Sequence, residues 1–253
     1  MQQEKEDELF QKRMIELSKK AERTYAEYYT DFLNLNEIHL LHTVQKELYA
    51  PFELFGGTET AERKMLCFYH EDLAECEHTF PIAGIHLFPT HAKFGEELSH
   101  RDILGAVLHL GLDRAKIGDI HIQEKEAYLF CTEKIAPFLL ENLTKIRHTS
   151  VRAELTEDFS HVYTPKVMRI SGTVSSLRLD SVIALAFSAS RSSLIAYITA
   201  GKVFVNGKQI VSNSYTLKEQ DIISIRGLGR ARFIEAGYET KKGRLHITVE
   251  KFI

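Results

Sequence analysis

The residues best suited to chemistry in this 253-residue chain are cationic and hydroxyl-bearing side chains near its C-terminus. They occur in three short runs, at positions 178–180, 190–193 and 201–208. Arginine and lysine donate charged hydrogen bonds to phosphate oxygens, and a serine-capped helix start offers free backbone N–H groups to the same ligands. The runs therefore predict a surface that binds phosphate groups. Its candidate contacts are Arg178, Ser190, Arg191, Ser192, Lys202 and Lys208.

Two more basic segments follow, a glycine-rich loop at 226–232 and a turn at 240–244. Glycines let a backbone approach a ligand closely, while arginines meet its phosphates. The loop is not a nucleotide-binding P-loop, because the Gly-Lys-Ser/Thr ending is missing. These segments add Arg226, Arg230, Arg232, Lys241, Lys242 and Arg244 to the candidate contacts.

A second interpretation applies to Arg178, Asp180 and Arg191. Asp180 lies two positions after Arg178 at the start of the first predicted helix, and Arg191 lies at the start of the second. An ion pair between Asp180 and either arginine would fix two helices without any ligand. Both interpretations stay open, since an arginine can do both.

The local pattern predicts the elements that position these residues. Apolar residues at 179–187 fall on one face of a first helix, and those at 194–198 on one face of a second, which Ser190 can cap. Gly201 would end the second helix. Asn206 and Gly207 then separate two apolar runs, which is the strongest short signal for a β-hairpin.

The charge of the chain divides at the loop-like run 171–173. Residues 173–253 hold 12 Lys and Arg against 6 Asp and Glu, a net charge of +6, which leaves 20 against 29, or −9, for residues 1–172. A basic C-terminal part on an acidic body is expected when only that part meets a polyanion.

The middle of the chain predicts alternating strands and helices in the order βαββαβ, the ferredoxin-like arrangement. Phe88, Tyr128 and Phe130 lie on its strands and could stack on bases. This region is acidic and lacks the basic-aromatic signature of an RNA-recognition motif, so buried or edge aromatics are favoured. The predicted segments are 82–88, 99–110, 118–123, 126–131, 133–146 and 151–156, with helix caps at Ser99 and Thr132.

The N-terminal segment predicts helices. Apolar residues recur every three or four positions from Phe10 to Phe32, and a second such pattern runs from Ile38 to Leu48 before Pro51. The predicted fold class is therefore α+β, with a helical segment at 1–75, a ferredoxin-like domain at 76–165 and a C-terminal domain of mixed helices and β-hairpins at 173–253.

Signals for catalysis, metals and membranes are weak. The sequence contains no G-x-S-x-G, no H-E-x-x-H, no glycine-rich nucleotide loop and no second Arg-Leu-Asp segment, so no catalytic residue and no cofactor is predicted. Histidines at 39 and 42 and the run Cys76-Glu77-His78 do not form the paired clusters of a structural zinc site, so no metal is predicted. Three cysteines suit free thiols, and no apolar stretch suits a signal or membrane span, so we expect a cytoplasmic protein.

The C-terminal runs resemble the RNA-binding module first described in ribosomal protein S-four, also called the αL motif. Other segments resemble bacterial YlmH-type proteins over nearly the whole chain. The residues that carry the first resemblance are Arg-Leu-Asp at 178–180, Ser-Arg at 190–191 and Gly-Lys-Val-Phe-Val-Asn-Gly-Lys at 201–208. The second is carried by 100–106, 117–120, 226–230 and 240–244.

This resemblance implies a non-catalytic factor that binds ribosomal RNA and tRNA on the large ribosomal subunit. Carried over residue by residue, it implies RNA contacts at Arg178, Ser190, Arg191, Lys202, Asn206 and Lys208, and Asp180 of the Arg-Leu-Asp run joins the candidate contacts. It implies a role in the rescue of stalled ribosomes, in which obstructed nascent chains receive C-terminal tails, and it suggests a link to cell division. DNA is not an expected partner. The second helix departs from the family pattern, since Ser192, Ser193 and Ala196 stand where many such modules carry further Lys or Arg.

Two alternatives to this function remain. The first arises because αL modules also occur on RNA-modifying enzymes such as pseudouridine synthases. It is an RNA-modifying enzyme with residues 1–172 as its catalytic body, and the other is an interaction protein linked to cell division.

Overall fold

The computed structural model of the chain describes residues 2–91, 96–157 and 167–252. The chain forms two compact units, Met1–Thr164 and Pro165–Ile253, and each is described by itself. The predicted division of the first unit between residues 75 and 76 stays a proposal.

The N-terminal part of the first unit combines two helices with a three-stranded antiparallel sheet in the order β1-β3-β2. Asn34 and Glu37 form a reciprocal cap at the start of α2, satisfying backbone N–H groups that the helix cannot. The elements are α1 (Gln2–Thr24), β1 (Tyr28–Leu33), α2 (Leu35–Thr43), β2 (Phe52–Phe55) and β3 (Lys64–Phe68).

The predicted continuous helix through Phe32 is wrong in its last third. The backbone turns at Tyr25, where φ is 51°, and residues Tyr28–Leu33 form a strand instead. Tyr, Thr and Phe suit a strand better than a helix, and pairing with β3 decides their conformation. The second predicted helix ends earlier than expected, at Thr43, and a 3-10 turn at Gln45–Glu47 follows.

The second part of the first unit contains a five-stranded antiparallel sheet in the order β5-β6-β4-β8-β7. Its four longer strands have the ferredoxin-like arrangement that the sequence predicts. Its elements are β4 (Ile82–Pro89), α3 (His100–His109), β5 (Ile117–Gln123), β6 (Glu126–Thr132), α4 (Ala136–Asn142), β7 (Lys145–Ile146) and β8 (Thr149–Thr156).

The two helices of this part differ in how well the sequence predicted them. Ser99 caps α3 with its side chain, as predicted. The predicted helix at 133–146 is shorter, because a 3-10 turn occupies Glu133–Ile135, and residues 145–146 pair as β7. Thr132 makes no side-chain cap there, so that prediction is wrong.

One buried cluster joins both parts of the first unit. Phe32, Met65 and Cys67 from the three-stranded sheet pack with Phe80 and with Phe130 of β6. The larger core of this part lies on the other side of the five-stranded sheet, where Ile85, Leu129 and others meet α3 and α4. Each face of the five-stranded sheet is thus at least partly covered.

The second unit is a six-stranded antiparallel sheet in the order β11-β10-β12-β13-β14-β9, with two helices packed against one face. Alternate strand residues such as Val205, Ile223 and Phe233 are buried on that face with the helices. The elements are β9 (Val167–Val174), α5 (Leu179–Ala186), α6 (Arg191–Thr199), β10 (Val203–Val205), β11 (Lys208–Gln209), β12 (Ile222–Ile225), β13 (Gly229–Glu239) and β14 (Leu245–Phe252).

The run Ser171-Gly172-Thr173, which has the composition of a loop, lies within β9. It pairs residue by residue with His246–Thr248 of β14. Pairing with a long neighbouring strand overrides the weak strand propensity of Ser and Gly. Gly172 fits because a Cβ there would come within 2.7 Å of a Leu185 methyl group.

No single helix among the described residues is long and apolar enough to cross a membrane. The pair α5 and α6 passes the same test only together, with a bend of 119° between them. Both helices bury apolar side chains in the core of the second unit.

Candidate RNA interface

Two arginines meet one buried carboxylate where α5 and α6 begin. Asp180 is 1% exposed; its Oδ1 lies 3.3 Å from Arg178 Nε and its Oδ2 lies 2.5 Å from Arg191 Nη2. The arginine side chains are 40% and 50% exposed, so each keeps a solvent-facing surface. Because a guanidinium carries five N–H donors in a rigid fork, one ion pair fixes its orientation and leaves donors for a ligand.

The electrostatic state of this group follows from its surroundings. Burial raises the pKa of Asp180, but the hydrogen bond from Arg191 and the charges of Arg191 and Arg178 outweigh burial, so the pKa lies below its ordinary value. Asp180 is therefore an ionised anchor. The sequence-based prediction of a direct RNA contact does not suit it, because a carboxylate so deeply buried positions the two arginines instead.

The start of α6 is built as the sequence predicts. Ser190 caps the helix by accepting a hydrogen bond from Ser193 N at 3.2 Å, and Ser192 Oγ lies 3.1 Å from Ser190 Oγ. All four residues from Ser190 to Ser193 are exposed. Exposed backbone N–H groups, the positive end of the helix dipole and Arg191 thus share one location.

Arg244 lies near Arg191, although 53 positions separate them in sequence. Both line a cavity of about 290 Å³ together with hydroxyl-bearing residues Thr173, Ser175 and Ser181. Arg244 Nε donates to Thr173 Oγ1 at 3.1 Å, and Arg244 Nη2 donates to the Thr173 carbonyl at 2.6 Å. We call Arg178, Arg191 and Arg244 the helix-side group.

The hairpin has the predicted tight turn, with φ of 49° at Asn206 and 78° at Gly207. The side chain of Asn206 is engaged within the protein: its Nδ2 donates to Asp221 at 2.7 Å, and its Oδ1 accepts from Ile222 N at 2.9 Å. Asn206 therefore shapes the hairpin, and this role differs from the predicted RNA contact. Lys208 is exposed on β11 beyond the turn.

Lys202 and Arg226 are neighbours at the other end of β10. Arg226 N donates to the Lys202 carbonyl at 2.9 Å, and both side chains are exposed. The guanidinium of Arg226 lies 4.7 Å from the centre of the Phe204 ring, and the Lys202 ammonium lies 5.5 Å from that of Tyr197. Aromatic rings thus support both cations.

Two further arginines contact one aromatic ring at the C-terminal end of β14. The guanidinium groups of Arg230 and Arg232 lie 5.2 and 5.7 Å from the centre of the Phe252 ring. They alternate along β13 with Ala231 and Phe233, which are buried with the helices, so both arginines lie on the opposite face of the sheet. We call Arg226, Arg230 and Arg232 the sheet-side group.

The structure thus brings six of the ten predicted cations into two groups rather than one. The helix-side group surrounds the helix starts, and the sheet-side group contacts Phe204 and Phe252. Lys241 and Lys242 are exposed in the turn between β13 and β14, two positions and one position before Gly243. The sequence-based prediction did not include Phe204, Phe252 and Thr173. A visible signal was the position of Phe204 between Lys202 and Lys208.

The aromatic residues of the ferredoxin-like sheet mostly serve packing. Phe130 is 1% exposed within the cluster that joins both parts of the first unit, and Tyr128 is 8% exposed. The Tyr128 ring stacks on His86 at 4.7 Å, and His86 Nε2 lies 2.8 Å from Glu126 Oε2. Phe88 is the partly exposed member of this set.

Comparison with known proteins adds the family context. A family profile described as "Putative RNA-binding domain in YlmH" matches residues 81–159, and the profile of the S4 domain matches residues 177–223. The chain is 31% identical over 249 residues to "Ribosome-associated protein quality control protein P2" of Bacillus subtilis (strain 168), spanning 98% of this chain and 96% of that relative.

A solved structure is also similar. "Cell division protein ylmH from Streptococcus pneumoniae" superposes with a TM-score of 0.52 at 25% identity, covering 63% of this chain and 95% of that one. The mixed α+β fold with the αL module last is thereby confirmed. Both domain matches occur in the predicted order, and the identity extends over nearly the full length of the curated relative. The chain belongs to the YlmH family.

Proposed function

We propose that this protein is a ribosome-associated RNA-binding factor whose C-terminal unit binds structured ribosomal RNA and tRNA on the large ribosomal subunit. Its role would be quality control of stalled nascent chains, in which those chains receive C-terminal tails. Such a factor acts where ribosomes are, so we place it in the cytoplasm. The name of the Bacillus subtilis relative supports the ribosomal role.

The observation that carries this proposal is the pair of arginines fixed on Asp180. Both guanidinium groups are half-exposed, oriented by a buried carboxylate, and located where two helices begin. Preorganised donors lose less conformational entropy on binding, and helix starts favour phosphate. This arrangement suits the phosphate backbone of folded RNA rather than the edges of its bases.

A salt titration tests the RNA-binding proposal. We expect the affinity of the full chain for tRNA and large-subunit ribosomal RNA to fall steeply as salt rises. Replacing Arg191 with Ala should weaken binding. It should also reduce the magnitude of the negative slope of log affinity against log salt by about 0.7 to 0.9, the effect of one phosphate contact.

Lys218→Ala is the matched control, because Lys218 is an exposed cation of the same unit outside the candidate set. It should change the slope less than Arg191→Ala. An affinity that is insensitive to salt, or equal slopes for the two variants, would count against the proposal.

We propose that the chain acts without catalysis. The αL module alone does not require this, since such modules also occur on enzymes. Incubation with ribosomal RNA and tRNA followed by nucleoside mass analysis should show no altered nucleoside. A modified nucleoside would instead favour an RNA-modifying enzyme with residues 1–172 as its catalytic body.

A second candidate function is an interaction linked to cell division, which the name of the Streptococcus pneumoniae structure favours. Co-sedimentation separates the two. Under the main proposal the tagged chain sediments with large ribosomal subunits, and Arg191→Ala reduces that fraction. Under the alternative, the chain stays out of ribosomal fractions.

A further inference from the structure

Three potential metal ligands from distant segments meet inside the first unit. Glu27 follows α1, Cys67 lies in β3, and His78 lies between β3 and β4. One ligand atom from each lies within 4.8 Å of the other two. We call these residues the Glu-Cys-His cluster.

Neighbouring side chains hold the cluster in place. His78 Nδ1 lies 2.7 Å from Glu27 Oε1, and the Tyr29 hydroxyl donates to Glu27 Oε2 at 2.6 Å. The ring of Tyr69 stacks on that of His78, with 4.0 Å between centres. Supporting contacts of this kind orient the ligands of metal sites and tune their affinity.

Burial makes the cluster unusual. Cys67 is fully buried, the His78 side chain is 3% exposed, and Glu27 is 32% exposed. Within the described residues, His78 Nε2 is buried and has no hydrogen-bond partner. A buried polar nitrogen without a partner is costly, and it often marks the place of a water or an ion.

One residue of the cluster also borders a cavity. His78 lines a cavity of about 610 Å³ whose wall includes Glu53, Cys76 and Thr79. Zinc sites with three protein ligands keep one position for water, and the cavity beside His78 offers room for that water.

We propose that Glu27, Cys67 and His78 form a binding site for a zinc-like divalent transition metal, with its remaining position facing the cavity. A thiolate, an imidazole and a carboxylate together suit zinc, whereas calcium and magnesium prefer oxygen ligands alone. On binding, the metal replaces the thiol proton of Cys67, and that proton leaves to solvent. This site is separate from the proposed RNA function.

The sequence alone predicts no metal here, because the spacing contains no matched pairs of ligands. Separations of 40 and 11 positions carry no signal until β1 and β3 pair and bring the segments together. The competing explanation is a metal-free hydrogen-bonded network of Tyr29, Glu27 and His78, and the experiment must separate the two.

The test uses the full chain, stripped of metal with a chelator and titrated with Zn²⁺ by calorimetry and with Co²⁺ by absorption. We expect one ion per chain and a thiolate-to-cobalt charge-transfer band. Cys67→Ser should remove the band and weaken zinc binding by at least about tenfold, since even loss of a supporting contact has that effect. Cys131→Ser is the matched control, because Cys131 is a buried thiol outside the cluster.

A second variant covers the case in which Cys67→Ser does not fold, as judged by circular dichroism. His78→Gln should then weaken zinc binding to the same extent. The proposal is overturned if the wild-type chain binds no stoichiometric zinc. It is also overturned if Cys76→Ser alone removes the band, because the thiolate would then be the exposed one.

Discussion

Asp180 connects the residue scale to the proposed function. It is the buried anion between two half-exposed arginines, so it sets where their guanidinium groups lie. Its lowered pKa means that the folded state favours the ionised carboxylate. The anchor therefore contributes to the stability of the second unit as well as to the arrangement of the candidate interface.

We predict that Asp180→Asn lowers the free energy of unfolding by about 1.5 to 3 kcal/mol. That is the range for hydrogen bonds to charged groups, and the freed arginines can reach water, which spares them the penalty of a buried unpaired charge. Urea unfolding at neutral pH measures this. Glu235→Gln, an exposed position in the same unit, should change it by less than about 0.5 kcal/mol.

The wild-type protein and Asp180→Asn should also differ in how their stability depends on pH. Because the folded pKa of Asp180 is depressed, its stabilisation is complete above the unfolded value of about 3.9 and disappears as pH falls through the lower folded value. The difference between wild type and Asp180→Asn should therefore shrink in that acidic window. A difference that is unchanged or larger in acid would contradict the ion-pair account.

At this scale the sequence predicted positions better than roles. It placed Arg178, Asp180 and Arg191 around two helix starts and left open whether the aspartate served structure or ligand. It could not decide, because burial depends on the packing of α5 against the sheet. Asn206 shows the same limit, since its partners Asp221 and Ile222 lie 15 and 16 positions away.

At the scale of elements, the β10–β11 hairpin depends on one backbone conformation. Gly207 has a φ of 78°, in the left-handed region that only glycine adopts freely. We predict that Gly207→Ala destabilises the protein by about 1 to 2 kcal/mol, the cost of that conformation for a residue with a Cβ. Urea unfolding followed by circular dichroism measures it.

Gly105→Ala is the informative control for this prediction. Gly105 lies exposed within α3, has an ordinary φ, and has open space where a Cβ would be. It should therefore stabilise its unit by about 0.5 to 1 kcal/mol. If both substitutions change stability in the same direction, backbone conformation is not the cause.

Elements with strong local signals were predicted well, and those decided by long-range pairing were not. The cap at Ser99, the turn at Asn206 and the cap at Ser190 all carry their signals within four residues. Tyr28 and Phe32 continue a helical spacing, yet their pairing with β3 makes them a strand. Residues 171–173 likewise become a strand only because β14 lies beside them.

At the scale of the molecule, charge follows the division into units. Residues 165–253 hold 14 Lys and Arg against 6 Asp and Glu, a net charge of +8, and residues 1–164 hold 18 against 29, a net charge of −11. Long-range repulsion should keep a polyanion away from the first unit and favour the second.

We therefore predict that ultraviolet crosslinks between the full chain and bound RNA fall mainly in peptides from residues 167–252. Mass spectrometry of the crosslinked peptides measures this, and Phe204 and Phe252 are expected acceptors because they lie under the sheet-side arginines. Crosslinks concentrated at Phe88 or Tyr128 would contradict this assignment and move the RNA to the ferredoxin-like sheet.

The six-stranded sheet has a practical consequence for anyone who isolates its unit. The S4 match ends at residue 223, so β9, β13 and β14 lie outside it, yet they supply half of the strands. A fragment cut to the matched boundaries would make β12 an exposed edge strand with unpaired backbone N–H and C=O groups. Such an edge promotes self-association by strand pairing between molecules. Recombinant fragments should start upstream of Val167 and retain the chain through Phe252, so that β14 keeps its pairing with β9 along its whole length.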